Sequence, residues 1–431
     1  MRKDKMRKGI LILVGVAVPA LLLPAVKTKA DELGELKQQL SELQNKVTEL
    51  EQQQKQKEQA LAAKINEVAQ QKAEPAPLPE SLKWVEKLKI SGDLRYRHDH
   101  WDQQDSTGDW ETGRDRDRIR ARLKFEAAVN DEWDAIFRIA SGSDETPIST
   151  NQDLTAGFSK KSLWLDQAYF NWHSASDGFN VLGGKMENPF YRVGKNELIW
   201  DSDLNPEGLA CQISRPLSPA DRLFFNGGGF WVDENSGGAD TSLWGVQTYI
   251  KHDLGHSDYL LGGATYLDYG NLKGHADLKS TWGSSNFFGN TSTGGVYASD
   301  YNILEAFGEY GFECSGMPMA LFGSWVRNLV ASTDGDTGWL VGAKLNKAKD
   351  PGSWEFSYDY RKLDADAIVG GFTESDFVDS KTNSKGHRFV FAYQLARNLQ
   401  SALTYYQAED TGNSTQNLDS RRLLADLILK F

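Results

Sequence analysis

Between Arg114 and Val129 the chain places a cation at every second position: Arg114, Arg116, Arg118, Arg120, Arg122 and Lys124. Ile119, Ala121, Leu123, Phe125, Ala127 and Val129 hold the other parity. A period of two predicts a β-strand with one basic and one apolar face. Six cations in alternate positions repel one another unless that face is wet or lined with carboxylates. The chemistry on offer is the attraction and passage of charged solutes. A transmembrane barrel supplies the setting, with apolar residues toward lipid and charged residues toward a water-filled lumen.

A second segment adds to the basic face. Arg95 and Arg97 alternate with Leu94 and Tyr96. In the simplest hairpin register Arg95 lies beside Arg122, Arg97 beside Arg120, and Asp93 beside Lys124. The expected pore lining is therefore Arg95, Arg97, Arg116, Arg118, Arg120, Arg122 and Lys124. Asp115 and Asp117 share the apolar parity but precede Ile119, so they are expected above the hydrocarbon. Two functions are open to such a wall. It could be an electropositive lane that draws anions, or one side of a charged constriction with acids facing it. Glu187, Glu197, Asp201 and Asp203, in the connection from 187 to 206, are the acids that would face it if that loop folds into the lumen. Their presence favours the constriction.

Other chemistries find little support. The seven histidines are scattered, and no Gly-x-Ser-x-Gly elbow, HExxH motif or phosphate-binding glycine loop occurs. No catalytic residue is assigned, and no enzyme activity is expected. His387 near Ser384 reads as an aromatic-girdle histidine, and His98 with His100 gives two ligands, too few for a metal site. The run Asp334-Gly335-Asp336-Thr337-Gly338 matches part of a calcium loop but lacks its later acids, and reads as a polar turn. No metal or cofactor is expected. Cys211 and Cys314 are too few for a disulfide framework and read as incidental thiols. A net charge of −12 argues against a nucleic-acid partner.

The elements that must position the wall follow from the rest of the chain. Beyond Ser81 about sixteen alternating segments can be marked, so residues 85–431 are expected to form an all-β, transmembrane antiparallel β-barrel. Trp354, Phe356, Tyr358 and Tyr360 alternate with Glu355, Ser357, Asp359 and Arg361, for example. Connections fall into two classes that alternate along the chain. Asn130 to Glu132 and Arg397-Asn398 are short, whereas 143–161, 188–206, 270–299 and 364–385 are long and polar. Short turns on one rim and long loops on the other are the pattern of outer-membrane barrels. The final segment carries Leu423, Ala425, Leu427, Leu429 and the terminal Phe431 on one face. Such an aromatic end is expected to engage the barrel assembly machinery.

Ahead of the barrel, residues 1–30 join a basic start to an apolar run from Ile10 to Leu23. They read as a signal peptide cut after Ala30. Residues 31–72 carry a heptad seam of Leu33, Leu36, Leu40, Leu43, Val47 and Leu50, which predicts a short α-helical coiled coil of two or three chains in the periplasm. Residues 73–84 form a stiff Pro-rich linker.

The run DRIRARLKFEAAVNDEWDAIFRIASGSDETPISTNQDL, followed by KKSLWLDQAYFNW, GGKMENPF and LIWDSDLNPEGLA, resembles the bacterial putative porin family. The resemblance is densest over residues 114–213. It implies a passive outer-membrane channel for small hydrophilic solutes or ions, in contact with outer-membrane lipid and assembled as a homotrimer. It assigns no solute. A different class of function, a structural envelope tether with the barrel as its anchor, would make the stalk rather than the pore the working part.

Overall fold

The computed structural model describes residues 29–70, 85–143, 146–174, 178–278, 287–412 and 417–431. The expected signal peptide, apart from Lys29 and Ala30, and the Pro-rich linker lie outside them. The chain divides into two units, Met1–Pro79 and Glu80–Phe431.

The first unit contains one helix, α1 (Lys29–Gln70). Its mixture of Leu, Gln, Glu and Lys favours the helical state, and its seam is exposed at Leu36, Leu40, Leu43, Val47 and Leu50. Leu36 and Leu43 are each 65% exposed. At 42 residues the helix is long enough to cross a membrane but has no stretch apolar enough to do so.

The second unit is a closed antiparallel barrel of sixteen long strands. They are β1 (Leu88–Gln104), β2 (Trp110–Ala128), β3 (Trp133–Ser141), β4 (Leu163–His173), β5 (Phe179–Lys185), β6 (Glu207–Pro216), β7 (Asp221–Asp233) and β8 (Thr241–Gly255). The second half comprises β9 (Asp258–Gly270), β10 (Tyr301–Cys314), β11 (Met317–Asn328), β12 (Thr337–Asn346), β13 (Trp354–Leu363), β14 (Ser384–Ala396), β15 (Leu399–Asp410) and β16 (Leu418–Lys430). Each strand pairs with its sequence neighbours, and β1 closes the ring against β16. At the seam Gly92 N–H donates to the Phe431 carbonyl at 3.0 Å and Phe431 N–H to the Gly92 carbonyl at 3.1 Å. A Cβ at Gly92 would lie 2.4 Å from the Arg122 carbonyl oxygen and 2.6 Å from the Phe431 ring. Only glycine fits there.

Burial is inverted relative to a soluble sandwich. On β1, Leu94 and Tyr96 are exposed, whereas Arg95, Arg97 and Asp99 are buried. The same holds on β16, where Leu423 and Leu427 are exposed and Arg422 is buried. Alternation therefore assigns the apolar parity to the outside and the polar parity to the interior. The exposed apolar belt continues through Phe137, Leu209, Leu321, Val341 and Leu403.

The expected β1–β2 register is corrected by two residues. Asp93 faces Arg122, Arg95 faces Arg120, and Arg97 faces Arg118. The hairpin ends in a tight turn at Asp105–Asp109, where Asp105 N–H donates to the Asp109 carbonyl at 2.9 Å and the Asp105 carboxylate accepts from Thr107 N–H at 2.8 Å. That turn and a bulge between Trp101 and Asp102 set the alignment. A shift of two preserves every side chain's face, so the basic wall survives. It also brings Asp93 between two arginines. Outside, Asp115 and Asp117 gather around His98, with Asp117 Oδ1 at 3.2 Å from its Nδ1.

Candidate functional site

The connection from 186 to 206, between β5 and β6, is buried against the barrel interior. Its apolar side packs on the wall of β7–β11. Phe190 meets Phe230 at 6.0 Å between ring centroids, and Tyr191 stacks on Tyr249 at 4.9 Å. Inward-facing polar groups of the strands hold its backbone. Tyr191 N–H donates to Gln247 Oε1 at 2.7 Å, and Gly194 N–H donates to Glu309 Oε2 at 2.7 Å. Gly194 has φ +57°, and a Cβ there would lie 2.5 Å from the Phe322 ring, so the close approach requires glycine.

A second loop, 364–383 between β13 and β14, meets the first. Asp201 N–H donates to the Phe372 carbonyl at 2.7 Å, Ser375 N–H donates to Asp201 Oδ2 at 2.8 Å, and Thr373 Oγ1 donates to the Leu198 carbonyl at 2.8 Å. Together with Leu272, Tyr297 and Tyr301, the two loops form an apolar cluster against one side of the lumen. The β1–β2–β16 wall is left as the charged side.

On that wall the arginines are interleaved with acids. Asp93 accepts from Arg120 Nε at 2.9 Å and Arg122 Nε at 2.7 Å. Asp99 accepts from Arg116 Nε at 2.9 Å and from Arg422 at 2.7–2.8 Å, with Arg118 Nη1 at 3.8 Å. Asp426 takes Arg97 in a two-point fork at 2.7 and 2.9 Å. Two further acids complete the set. Asp153 bonds Arg116 at 3.0 Å and Arg118 at 2.6 Å, and Asp376 bonds Arg97 at 2.7 Å and Arg422 at 3.0 Å.

The four loop acids singled out from the sequence have different environments. Asp203 lies 3.2 Å from Arg122 Nη1 and also accepts from Thr150 N–H at 3.1 Å. Burial would raise its carboxyl, but Arg120, Arg122 and Arg95 outweigh burial and hold it down to about 2. Asp201 faces loop backbone rather than the arginines. Burial, then Glu197 and Asp203, push it well above the ordinary carboxylate range. Burial and then the Glu374 carboxylate push Glu197 up to about 7, against Arg388, Arg192 and Arg361. Glu187 is 69% exposed and stands 3.9 Å from Lys124, which bonds Glu126 at 2.9 Å.

Most counter-charges thus lie beside the arginines rather than across from them. Asp99, Asp426 and Arg422 were legible: they share the inward parity of their strands. Asp153 lies in a two-residue strand, Gln152–Asp153, paired with β2 opposite Arg118, and Asp376 sits on a loop; neither stretch is long enough or regular enough for a period to mark a facing side chain. A separate cluster on β13 and β14 was also unmarked. There Asp359 accepts from Arg361 at 3.0 Å and Arg388 at 2.7 Å, while Glu374 takes Arg361 at 2.5 Å, Arg388 at 2.8 Å and Tyr406 Oη at 2.6 Å. Lys124 pairs with Glu126, which lines a cavity of about 590 Å³ together with Lys89, Asn171, Glu187 and Gln212. Among the described residues no group of three or more His, Cys, Asp or Glu is placed to hold a metal ion.

The family model described as "Putative porin" matches residues 102–313 and 305–431, most of the barrel. The chain belongs to the putative porin family. This porin is also similar to solved structures. OprB of Pseudomonas putida is 11% identical, with 81% of this chain and 96% of that one covered at a TM-score of 0.53. The outer-membrane channel DcaP of Acinetobacter baumannii is 14% identical, with 80% and 97% covered at 0.44. OmpF of Salmonella typhi is 12% identical, with 80% and 97% covered at 0.46. No curated protein matches the sequence. The porin is accordingly a channel of the outer membrane, and its family and fold point away from an enzyme.

Proposed function

We propose that the barrel passes small hydrophilic solutes and ions by passive diffusion between the arginine wall and the two inward loops, with weak ion selectivity. The carrying observation is the interior itself: the inward arginines and aspartates of β1, β2 and β16, among them Arg95, Arg97, Asp99, Arg118 and Arg422, are buried and cross-paired, while the apolar parity is exposed. A lumen of mixed sign imposes a transverse field on a solute and leaves only a small net preference. Arg95, Arg97, Arg116, Arg118, Arg120, Arg122 and Lys124 line the path in this reading, and Asp203 is the loop acid that faces them. Planar-bilayer recording of the purified protein tests it. Stepwise, ohmic currents are expected, and an absence of steps would overturn the reading.

The long loops then face the exterior and the short turns the periplasm, where the linker and α1 also lie. The exposed seam of Leu36, Leu40, Leu43, Val47 and Leu50 supports self-association of α1 as a coiled coil. Porin family membership supports a homotrimer embedded in outer-membrane lipid. The closing position of Phe431 beside Gly92 supports recognition of the last strand by the barrel assembly machinery. Deleting α1 distinguishes a porin, which keeps conductance, from an envelope tether, which loses attachment.

A further inference from the structure

Two arginines on the wall are not matched as the others are. Arg97, Arg116, Arg122 and Arg422 each bond two carboxylates, and Arg118 bonds Asp153 with Asp99 at 3.8 Å. Arg95 and Arg120, direct cross-strand partners, lack this. Arg95 is 8% exposed. Its Nη2 donates to the neutral amide of Asn151 at 2.5 Å, and its Nη1 is 3.9 Å from Asp426, whose oxygens are already taken by Arg97. Its Nε is buried with no acceptor. Among the described residues, Arg120 makes one side-chain bond, from Nε to Asp93, and Asp93 gives its other oxygen to Arg122.

Charge on the wall tells the same story. Apart from Arg114, which is 54% exposed with Nη1 4.0 Å from Asp153, seven arginines (95, 97, 116, 118, 120, 122 and 422) are set against six aspartates, Asp93, Asp99, Asp153, Asp203, Asp376 and Asp426. One positive charge is left over, and the incomplete pairing places it at Arg95 and Arg120. Like charges directly facing across a strand pair destabilise it, and a buried donor without an acceptor is costly.

We propose that Arg95 and Arg120 form a binding site for the single carboxylate group of a permeating organic anion. The inference rests on the diffusion-channel reading. A carboxylate is planar, presents two oxygens, and suits guanidinium edges that have unfilled N–H groups. Its one charge balances the wall. A dianion would bring a second charge toward Asp93 and Asp203, so the site favours monocarboxylates over sulfate. A single retained anion in a narrow passage also makes transport saturable.

Single-channel conductance of the full-length protein, measured against sodium acetate concentration, tests the site, with sodium sulfate as the dianion arm. The expected result is saturation in acetate at lower concentration than in sulfate. Arg120→Gln and Arg95→Gln should each raise the half-saturating acetate concentration about tenfold, the loss of one charge-assisted bond. Arg120→Lys, which keeps charge without the fork, should fall between. Heat-modifiable gel mobility verifies that each variant is a folded barrel, and wild-type saturation stands as a test if either is not. Steps with acetate conductance that rises linearly, or that both Gln variants leave unchanged, overturn the site while leaving the channel intact. Tighter saturation by sulfate overturns the preference for a monocarboxylate. An absence of steps overturns the channel and the site together.

Discussion

The barrel contains two arginine clusters that differ in charge balance, although Arg361 Nε and Nη1 in the first, like Arg95 Nε in the second, are buried without an acceptor among the described residues. On β13 and β14, Arg361 and Arg388 meet Asp359 and Glu374, two charges of each sign, and Arg361 and Asp359 are each 1% exposed. On β1, β2 and β16 the wall carries seven arginines against six aspartates, with Arg116 and Arg122 16% and 20% exposed. Sealing ions away from water is tolerable only when they are paired and hydrogen-bonded. A face that water and solutes reach can carry a surplus. The matched cluster therefore serves as a fastener for the loop 364–383, which supplies Glu374, and the unmatched wall is where a solute would be felt.

The largest effect should come from breaking the fastener. Glu374→Gln leaves Arg361 and Arg388 facing only Asp359 and weakens the bond from Tyr406 Oη. Stranding a buried charge costs roughly 3–5 kcal/mol. A clear fall in the urea midpoint for the barrel in detergent or lipid is expected, together with faster proteolysis in 364–383. An unchanged midpoint would mean that the two clusters do not differ in kind.

Charge reversal on the wall should act on current more than on stability. Arg120→Glu with Arg122→Glu turns the surplus of one into a deficit of three. The reversal potential in a potassium chloride gradient should move toward the cation side, with stability changed much less than by Glu374→Gln. A reversal potential that stays put would remove the wall from the conduction path.

A smaller, pH-dependent effect tests where the two inward loops meet. Glu197 is raised from 4.5 to about 7, by burial and then by Glu374. The folded state therefore holds this proton more tightly than the unfolded chain does. Stability from this group is fully present below about pH 4.5 and is lost as pH rises through about 7. Asp201 is raised in the same direction. Asp203 runs oppositely: lowered from 3.8 to about 2, it stabilises above pH 3.8 and loses that contribution only as pH falls toward 2. Protection factors for hydrogen exchange at the 196–201 and 372–375 contact, with the intrinsic pH dependence of amide exchange divided out, should be larger at pH 5 than at pH 8. Glu197→Gln should remove much of the difference. Equal protection factors at both pH values would show that Glu197 does not bear on the contact.

Much of this architecture was readable because a barrel strand writes its environment in a period of two. The faces of β1, β2 and β16 and the placing of the sixteen strands rest on that period. The matched cluster was not readable, although Asp359 and Arg361 were visible in an alternating strand. Its decisive partner, Glu374, sits in a loop whose backbone is positioned by contacts with 197–201. Asp376 escaped for the same reason, and Asp153 because its strand is only two residues long. The register of β1 on β2 escaped because a turn of five residues and one bulge decide it, and either can move the pairing without changing which face is basic. Thus the sign of the wall followed from sequence, while its near-neutrality did not.

The smallest effect is expected at Lys124. Lys124 shares the inward parity of Arg118, Arg120 and Arg122, yet it is paired with Glu126 at 2.9 Å and only loosely with Glu187 at 3.9 Å. Beside a cavity of about 590 Å³, with Glu187 69% exposed, water screens these charges more than it screens those of the inner wall. Lys124→Gln should therefore change stability by less than about 1 kcal/mol. It should move the reversal potential far less than Arg120→Gln does, although each removes one positive charge from the same strand. Equal shifts from the two variants would mean that the field is set by net charge alone. Unequal shifts, with Arg120 dominant, would place selectivity where pairing is incomplete rather than where cations are simply present.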